Sequence, residues 1–455
     1  MNVPSRSVNA WIYLNDDYPE GTIYTTPESC YQALITYGVY NSTDVVNICW
    51  VNTVPTSATT VPAGDGSTHT IQLESATHTD GTSSPTNQDY MDWLIQDARG
   101  VNPGIKLMVT LGYGANELTQ IFADDSSQWQ QNANDFAFNL LEYLKYYGLD
   151  GFDVDWEPAL SDSGTTEQFN LLFTAIRTLF DTQDRYYYLT LSPNGTGILT
   201  NDCADTLNSA FDWVTLQLYG GACAESFTGI GVKQGLLMYG AMFEPSGGVP
   251  FQDAQQAYAG HQPYCSVPAS TQVITNWRLN SNDYHYEQAQ QMILYQLVYG
   301  IPGPSFDDSP IAGAAGNPLV SQVVVRSGEV LDAIQATSAG TFEDNPVQYV
   351  LMQHGGDGGG ASTVTIAGGD ALVEVSGYTG TWFGWNVVLQ VTLTTRNGQV
   401  SGPFGSMANA SSMTPFTLSA PQGQSIVAFS GSVVNVPLAG GGTTDVVQSL
   451  AATYA

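Results

Sequence analysis

The chain has 455 residues, and 43% of them are apolar, so it is long and hydrophobic enough to form two cores rather than one. Ten lysines and arginines stand against 42 aspartates and glutamates, which gives a formal net charge of −32 at pH 7. Nucleic acids and anionic membranes bind proteins through Lys and Arg, so this charge argues against both as partners. Only 11% of the residues are charged, and a surface of hydroxyl, amide and aromatic groups suits uncharged ligands such as sugars.

The sequence contains no run of about 18 apolar residues that could cross a membrane, and residues 1–14 lack the basic and apolar segments of an export signal. We therefore expect no membrane insertion, and we expect a secreted or extracellular protein although no signal peptide is visible. The cysteines are scattered without a CxxC spacing, so we predict no metal site, no cofactor and at most one or two disulfides. They are Cys30, Cys49, Cys203, Cys223 and Cys265.

Up to Gly300, short strand-like runs alternate with helical runs. The clearest helical run begins at Trp129 and ends at Gly148. The candidate strands cover residues 8–13, 45–51, 105–111, 151–157, 186–192, 212–219, 235–243 and 272–278. Eight strand-then-helix units predict an α/β protein with a (β/α)8 barrel, in which chemistry lies at the C-terminal ends of the strands.

A Pro/Gly-rich linker at 300–310 separates this pattern from a second region with almost no helical periodicity. We therefore predict two domains, a barrel over residues 1–302 and an all-β domain over 303–455. The second region repeats itself, because residues 328–335 and 441–448 share a Gly-x-x-x-Asp pattern. Such a repeat predicts a pseudo-symmetric sheet assembly with similar loops.

Residues 150–157 read Asp-Gly-Phe-Asp-Val-Asp-Trp-Glu. Side chains alternate across a strand, so Asp153, Asp155 and Glu157 share one face at steps of about 6.6 Å. Phe152 and its alternate neighbours share the other face and must meet the helices. The three carboxyl groups are therefore predicted to point into the barrel, with Glu157 nearest its C-terminal mouth.

Two other interpretations of these acids remain open. A structural ion network is disfavoured because no basic residue lies in or just after the strand, and a divalent metal site is disfavoured because the acids lie in line rather than converging. Acids crowded in a low dielectric cannot all ionise, so the pKa of the outermost one should rise. A carboxylic acid that stays protonated near neutral pH can serve as a general acid.

The stretch resembles the DxxDxDxE signature of glycoside hydrolase family 18, the chitinases and endo-β-N-acetylglucosaminidases, whose barrel covers about residues 7–300. The resemblance implies that Glu157 protonates the glycosidic oxygen. It also implies that Asp155 orients the substrate's 2-acetamido group and stabilises an oxazolinium ion, while Asp153 shares a proton with Asp155. No enzyme nucleophile is then required, and the anomeric configuration is retained.

Further site residues follow from the same resemblance. Tyr219, on the sixth barrel strand with Gln217, matches a Tyr that hydrogen-bonds the acetamido group, and Trp277 matches an aromatic floor beneath the sugar. Asp150 and Tyr113 are expected to contribute to substrate binding. The third strand departs from the family pattern, because Thr-Leu-Gly-Tyr-Gly at 110–114 replaces Ser-x-Gly-Gly.

The second region resembles a jacalin-related lectin domain, a β-prism, on residues 306–310, 323–335, 354–360, 373–380 and 402–407. This resemblance implies sugar binding around Asp445 and Gly441, and a second site around Asp332 and Asp357. Gly allows a backbone that exposes amide groups, and an Asp carboxylate accepts hydrogen bonds from two hydroxyls. The alternative is that these residues only form turns.

The sequence thus predicts a retaining hydrolase of β-1,4-linked N-acetylglucosamine glycans, held on its substrate by a lectin domain. Chitin or chito-oligosaccharide is the first expected substrate, because the Asp-Trp-Glu ending resembles chitinases more than N-glycan hydrolases. Hydrolysis of the N-glycan core is the second. A non-catalytic chitinase-like lectin or toxin subunit is the third hypothesis, which retention of Glu157 disfavours.

Overall fold

The structure is a computed structural model that describes most of the chain in two compact units, Met1–Glu287 and Gln288–Ala455. The described residues are 3–14, 31–59, 69–78, 80–112, 117–118, 120–157, 166–197, 199–244, 251–281, 284–342, 345–438 and 440–455. The division between the units falls within a helix that spans Tyr284–Tyr299. The boundary predicted between residues 302 and 303 stays a prediction.

The first unit contains a closed barrel of eight parallel strands, in the order β1-β9-β8-β7-β6-β5-β4-β2, with β2 pairing back to β1. Strand β3 pairs antiparallel with the end of β2 and lies outside the barrel. The strands are β1 Ser7–Tyr13, β2 Val45–Pro55, β3 His69–Leu73, β4 Lys106–Leu111, β5 Gly151–Trp156, β6 Tyr188–Pro193, β7 Trp213–Gln217, β8 Leu237–Met242 and β9 Ser270–Trp277. The predicted (β/α)8 barrel is confirmed.

Helices alternate with these strands as predicted. They are α1 Gln32–Thr36, α2 Asn87–Val101, α3 Trp129–Tyr147, α4 Thr166–Asp181, α5 Ala204–Ala210, α6 Ala224–Gly229, α7 Ala254–Tyr258 and α8 Tyr284–Tyr299. Helix α3 has the predicted start and ends where Gly148 adopts a left-handed backbone with φ of 67°. Of the helices in the described part of the chain, none combines the length and the apolar character that a membrane crossing requires.

Strand β5 has the predicted two faces. Its apolar side chains are buried, and the Trp156 ring packs against Phe169 of α4 with centroids 5.5 Å apart. The strand begins with a glycine because a β carbon at Gly151 would overlap the backbone of Tyr188 on β6. Burial of the apolar face against the helices therefore sets the direction of the acidic face.

The described residues of the second unit form three antiparallel sheets, as expected for a β-prism. The strands are β10 Ser305–Asp307, β11 Leu319–Ser327, β12 Leu331–Phe342, β13 Asn345–Val350, β14 His354–Gly355, β15 Gly360–Thr365, β16 Leu372–Trp382, β17 Trp385–Thr395, β18 Val400–Gly405, β19 Ala410–Ser419, β20 Ile426–Pro437 and β21 Thr443–Tyr454. A short helix, α9 Ser309–Ala314, lies in the region that was predicted to contain strands only.

A buried contact between His354 and Asp308 holds the start of the glycine-rich loop 354–360 to the residue that follows β10. His354 Nε2 lies 2.9 Å from each carboxylate oxygen of Asp308, and its ring stacks on Phe306 with centroids 3.9 Å apart. Burial raises the pKa of Asp308 even though His354 opposes the shift. Two sequence segments that resemble the lectin family therefore meet in the core.

One disulfide, between Cys223 and Cys265, is present among the described residues. Cys49 and Cys203 are buried thiols, and Cys30 lies outside the described residues. The disulfide joins residues 42 positions apart in sequence, so it closes a long loop at the C-terminal side of the barrel.

Candidate active site and candidate lectin site

The three acids of β5 differ in depth. Asp153 is 0% exposed and Asp155 is 5% exposed. Glu157 directly follows the strand and is half-buried. The order of exposure shows that the strand runs outward, so Asp155 and Glu157 can meet a ligand whereas Asp153 supports them from beneath.

Asp153 lies at the centre of a network of neutral donors. They are Trp11 Nε1 at 3.3 Å, Thr110 Oγ1 at 3.2 Å, Thr190 Oγ1 at 2.6 Å and Ser192 Oγ at 3.0 Å. Burial raises the pKa of Asp153, and these hydrogen bonds partly offset the rise because they favour the charged form. The carboxyl group thus ties together β1, β4, β5 and β6.

Gln217, at the end of β7, links Asp155 of β5 to Ser192 of β6. Its Nε2 donates to Asp155 Oδ1 at 2.7 Å and to the carbonyl oxygen of Ser192 at 2.9 Å. These two bonds fix the amide orientation, so Asp155 is held by a donor from β7. Gln217 was assigned to substrate binding from the sequence, and the structure places it on the cavity wall beside Asp155.

Tyr219 lies in a different element from the one predicted. Strand β7 ends at Gln217, and Tyr219 sits in a 3₁₀ turn over Leu218–Gly220, although it still lines the same cavity as the acids. Burial, followed by the nearby Asp155 and Glu157 charges, raises the pKa of Tyr219 well above its ordinary value. Its hydroxyl therefore stays protonated and can donate a hydrogen bond.

Glu157 has the electrostatic character expected of a general acid. Burial raises the pKa of its carboxyl group, and hydrogen bonds from Gln217 and Asn194 oppose that rise. The predicted direction is correct, but the predicted cause is not, because burial rather than repulsion between acids dominates the shift. Besides Asp155 and Glu157, the carboxyl group of Glu244, two residues after the end of β8, lines the same cavity.

The cavity at the C-terminal mouth of the barrel, here named the acid cavity, has a volume of about 320 Å³. Trp277 ends β9 and stacks on Trp50 with ring centroids 5.6 Å apart, while Trp11 meets Trp277 edge-on at 5.9 Å. The lining residues are Trp11, Trp50, Asp155, Glu157, Gln217, Tyr219, Gly220, Met242, Glu244 and Trp277. Carboxyl groups and flat aromatic rings therefore border one space, which suits a sugar ring.

Asp150 does not reach this cavity, and its assignment to substrate binding is corrected. It precedes β5, so it lies at the N-terminal end of the barrel, opposite Glu157. Its carboxylate accepts a hydrogen bond from the Leu107 amide at 2.9 Å and forms ion pairs with Arg99 and Arg185. These contacts give it a structural role. Tyr113 lies outside the described residues.

Several residues of this site were not predicted from the sequence. Trp11 and Trp50 lie on β1 and β2, and Asn194, which donates to Glu157, directly follows β6. A signal for Asn194 exists, because Thr190, Ser192 and Asn194 alternate as polar residues along one strand face. Which acid these groups contact depends on the register between strands, which no local pattern shows.

In the second unit, the repeated Gly-x-x-x-Asp segments meet at one glycine. The Gly356 amide donates to the carbonyl oxygens of Asp332 at 3.1 Å and of Asp445 at 3.0 Å. Gly441 is exposed, with φ of 88°, and Asn435 Nδ2 donates to Asp445 Oδ1 at 2.8 Å. The Asp445 side chain is partly exposed, so its carboxylate is accessible to a ligand.

The second predicted lectin site is more closed. Asp332 is 8% exposed, and a β carbon at Gly358 or Gly359 would overlap its carboxylate. Burial raises the pKa of Asp332. Asp357 is exposed, and its carboxylate accepts a hydrogen bond from Gln353 at 3.1 Å. The structure thus brings Asp332 against the glycine loop but leaves little room around its carboxylate.

A barrel whose C-terminal mouth holds three carboxyl groups, one of them Glu157 with its pKa raised by burial, beside three tryptophan rings has the composition of a sugar-processing barrel enzyme. Residues 18–242 match the family model for glycosyl hydrolases family 18, and residues 298–436 match the model for the jacalin-like lectin domain. These two matches support a glycoside hydrolase domain in the first unit and a carbohydrate-binding domain in the second.

Solved structures similar to this chain include plant lectins. The mannose-binding lectin from Champedak is 20% identical, with 34% of this chain and 91% of that chain covered and a TM-score of 0.25. The Malaysian banana lectin is 23% identical, with 32% and 91% covered and a TM-score of 0.23. Jacalin in complex with T-antigen is 23% identical, with 34% and 99% covered and a TM-score of 0.24. No curated protein matches the chain.

Proposed function

We propose that the protein is a retaining glycoside hydrolase that cleaves β-1,4 bonds beside N-acetylglucosamine by substrate-assisted catalysis. The observation that carries the proposal is the pairing of Glu157, whose pKa is raised by burial, with Asp155 on one wall of the acid cavity. A protonated carboxyl group and a neighbouring carboxylate are the two groups that this chemistry requires.

In the first step, the Glu157 carboxyl group gives its proton to the glycosidic oxygen while the bond from that oxygen to the anomeric carbon breaks. The oxygen of the substrate's own 2-acetamido group attacks the anomeric carbon and forms an oxazolinium ion. Asp155 stabilises the positive charge on the acetamido nitrogen, and the Tyr219 hydroxyl donates to the acetamido oxygen. Asp153 lies beneath Asp155 and contributes indirectly, because its hydrogen bonds to Thr190 and Ser192 hold β5 against β6.

In the second step, the Glu157 carboxylate accepts a proton from a water molecule, and the water oxygen attacks the anomeric carbon as the ring opens. The carboxyl group is protonated again, and the acetamido group is restored. Two successive displacements at the anomeric carbon return it to its original configuration, so the product is the β anomer.

Chitin or chito-oligosaccharide is the proposed substrate, and the resemblance to chitinases supports it. The side chain of Trp156, on which that resemblance partly rests, packs against α4 and is 2% exposed, so it does not contact a ligand in the acid cavity. The stacked tryptophans support a polymer of flat sugar rings more directly. The N-glycan core contains the same bond and is the second candidate, favoured by the attached lectin domain.

Product analysis tests the proposal. The full chain is incubated with chito-oligosaccharides and, separately, with an N-glycoprotein, and the products are identified by mass spectrometry. Hydrolysis of either substrate by the wild-type protein, and not by Glu157→Gln, supports the proposal and selects the substrate. Release by both proteins alike indicates a contaminant, and release by neither favours a carbohydrate-binding protein without catalysis.

In the pH profile of kcat/KM, the fall in activity on the alkaline side is expected to follow the pKa of Glu157. Because the folded pKa is raised, the protonated form is complete below the ordinary value of about 4.3 and is lost as pH rises through the raised pKa. Asn194→Ala removes a hydrogen bond that lowers this pKa, so its alkaline limb in kcat/KM should move to higher pH. A limb that moves to lower pH would contradict the assignment.

The lectin domain is proposed to bind sugar at Asp445 and to hold the enzyme on glycan-rich surfaces, which raises the local substrate concentration. Asp445→Ala should weaken retention on a column of immobilised mannose or galactose by at least about tenfold, because a charge-assisted hydrogen bond is lost. Glu374→Ala, which removes a carboxylate bonded to Ser419, is the matched control. Equal retention of both variants and the wild type would refute this site.

A further inference from the structure

The sequence contains two Asn-Gly pairs, Asn194–Gly195 and Asn397–Gly398. An asparagine followed by glycine is prone to deamidation, because glycine has no β carbon to obstruct attack of its own amide nitrogen on the asparagine side chain. The first pair directly follows β6 at the mouth of the barrel, and the second lies in the turn between β17 and β18. The two pairs have the same chemistry in an unfolded chain, so a difference between them comes from the fold.

The fold leaves the attacking nitrogen of the first pair free. The Asn194 amide donates to the carbonyl oxygen of Trp156 at 3.2 Å, whereas no hydrogen bond from the Gly195 amide is found in the part of the chain that the structure describes. Asn194 and Gly195 are both partly exposed, so water can reach them. The Gly195 nitrogen can therefore react without first losing a partner.

Hydrogen bonds hold the second pair in place. The Gly398 amide donates to the carbonyl oxygen of Thr395 at 3.0 Å, and the Asn397 amide donates to Asp370 Oδ1 at 3.1 Å. The Gly398 nitrogen must give up its hydrogen bond before it can attack, which costs free energy. Both residues of this pair are exposed, so exposure alone predicts a faster reaction at Asn397. The hydrogen bonds predict the opposite order.

Glu157 gives the first pair a second advantage. Asn194 Nδ2 donates to Glu157 Oε2, so the carboxyl group contacts the nitrogen that leaves during deamidation. Burial raises the pKa of Glu157, so this group keeps its proton to a higher pH than an ordinary glutamate does and can act as a proton donor. Asn397 lies in the second unit and has no part in this contact.

We infer that Asn194 modifies itself, closing a ring with Gly195 and becoming aspartate or isoaspartate, with Glu157 as the proton donor. A hydroxide ion takes the Gly195 amide proton, and the nitrogen bonds to Asn194 Cγ. The bond from Cγ to Nδ2 then breaks as the Glu157 proton passes to Nδ2, and ammonia leaves. Water opens the resulting succinimide at either carbonyl carbon, and Glu157 regains a proton from solvent. The net reaction consumes one water molecule and releases one ammonia.

The modification changes the acid cavity, and this consequence rests on the proposed function. The aspartate product places a carboxylate beside Glu157, whose pKa the Asn194 amide had lowered. A like charge raises that pKa further, so the fall in kcat/KM on the alkaline side should move to higher pH as the protein ages. Asn194→Asp reproduces the product and should move this fall further than Asn194→Ala does.

Peptide mass spectrometry tests the inference without an assay of hydrolysis. The full chain is incubated near neutral pH, sampled over several weeks and digested, and the deamidated fraction is measured at Asn194 and at Asn397. We expect Asn194 to react faster in the folded protein, and the two asparagines to react at nearly equal rates in concentrated urea. Equal rates in the folded protein, or a faster reaction at Asn397, would overturn the inference.

Glu157→Gln tests the proton donor. Gln keeps an oxygen that can accept from Asn194 Nδ2 but carries no acidic proton, so the rate at Asn194 should fall by at least about tenfold while the rate at Asn397 stays unchanged. Glu244→Gln is the matched control, because it removes a carboxyl group of the acid cavity that pairs with Arg278, and it should change neither rate. An unchanged rate at Asn194 in Glu157→Gln would overturn the role of the acid.

Failure of this inference and failure of the proposed function are distinguishable, because neither rate of deamidation depends on turnover of a glycan. Absence of glycan hydrolysis by the wild-type protein would refute the proposed function and leave the modification standing. Hydrolysis by a protein whose Asn194 is no more reactive than Asn397 would refute the modification alone.

Discussion

Replacement of Glu157 by Gln is expected to lower kcat by about 1,000-fold, the range expected for loss of a general acid. Gln has nearly the same size and cannot donate a proton to a leaving oxygen, so the loss should appear in the chemical step. The free energy of unfolding should change by less than about 1 kcal/mol, because the half-buried site can hold a neutral amide. Steady-state kinetics and chemical denaturation measure the two quantities.

Glu244→Gln is the matched control for this experiment. The Glu244 carboxyl group lines the same cavity, but it follows β8 and does not belong to the acidic motif of β5. We expect a far smaller loss of kcat from this change. Near-normal activity in Glu157→Gln together with a large loss in Glu244→Gln would mean that the general acid has been assigned to the wrong strand.

Replacement of Asp153 by Ala is expected to destabilise the barrel by about 3 kcal/mol, because it leaves buried donors without an acceptor. The donors are the hydroxyl groups of Thr110, Thr190 and Ser192 and the Trp11 ring nitrogen. Asp153→Asn keeps one oxygen and the side-chain volume, so it should cost clearly less. Urea denaturation of the three proteins measures the differences.

The pH dependence of this effect has a defined sign. Burial raises the pKa of Asp153 in the folded state. The protonated carboxyl group therefore stabilises the native state fully below the unfolded-state pKa of about 3.9. This contribution is lost as pH rises through the folded-state pKa. The difference in unfolding free energy between the wild type and Asp153→Ala should therefore be larger near pH 4 than near pH 7. A difference that grows with pH would contradict burial as the main cause of the shift.

The barrel and the direction of the acids were predictable from the sequence because both depend on local periodicity. The alternation along β5 sends Phe152, Val154 and Trp156 toward the helices and the acids inward, and the structure confirms this. Asp150 shows the limit of motif matching. Strand direction alone places a residue before β5 at the end opposite the C-terminal mouth of the barrel. The arginine partners of Asp150 come from segments that no local pattern connects to it.

The rest of the site depends on contacts between residues that are far apart in the sequence. Asn194 contacts Glu157, and Trp50 lines the same cavity, only because the parallel strands stand in a particular register. For the same reason the predicted cause of the Glu157 shift was wrong: crowding of acids is visible in the sequence, whereas burial is a property of the folded barrel. In the second unit, the Asp308–His354 pair likewise joins two segments that the sequence shows only as separate motifs.

The measurement that tests the central claim most directly is the anomeric configuration of the first product, followed by proton NMR during hydrolysis of chitohexaose. Participation of the substrate's acetamido group, with Glu157 as acid and then base, predicts that the β anomer accumulates first and the α anomer follows only by mutarotation. Initial release of the α anomer would mean a single displacement by water, and would contradict the proposed role of the carboxyl groups in the acid cavity.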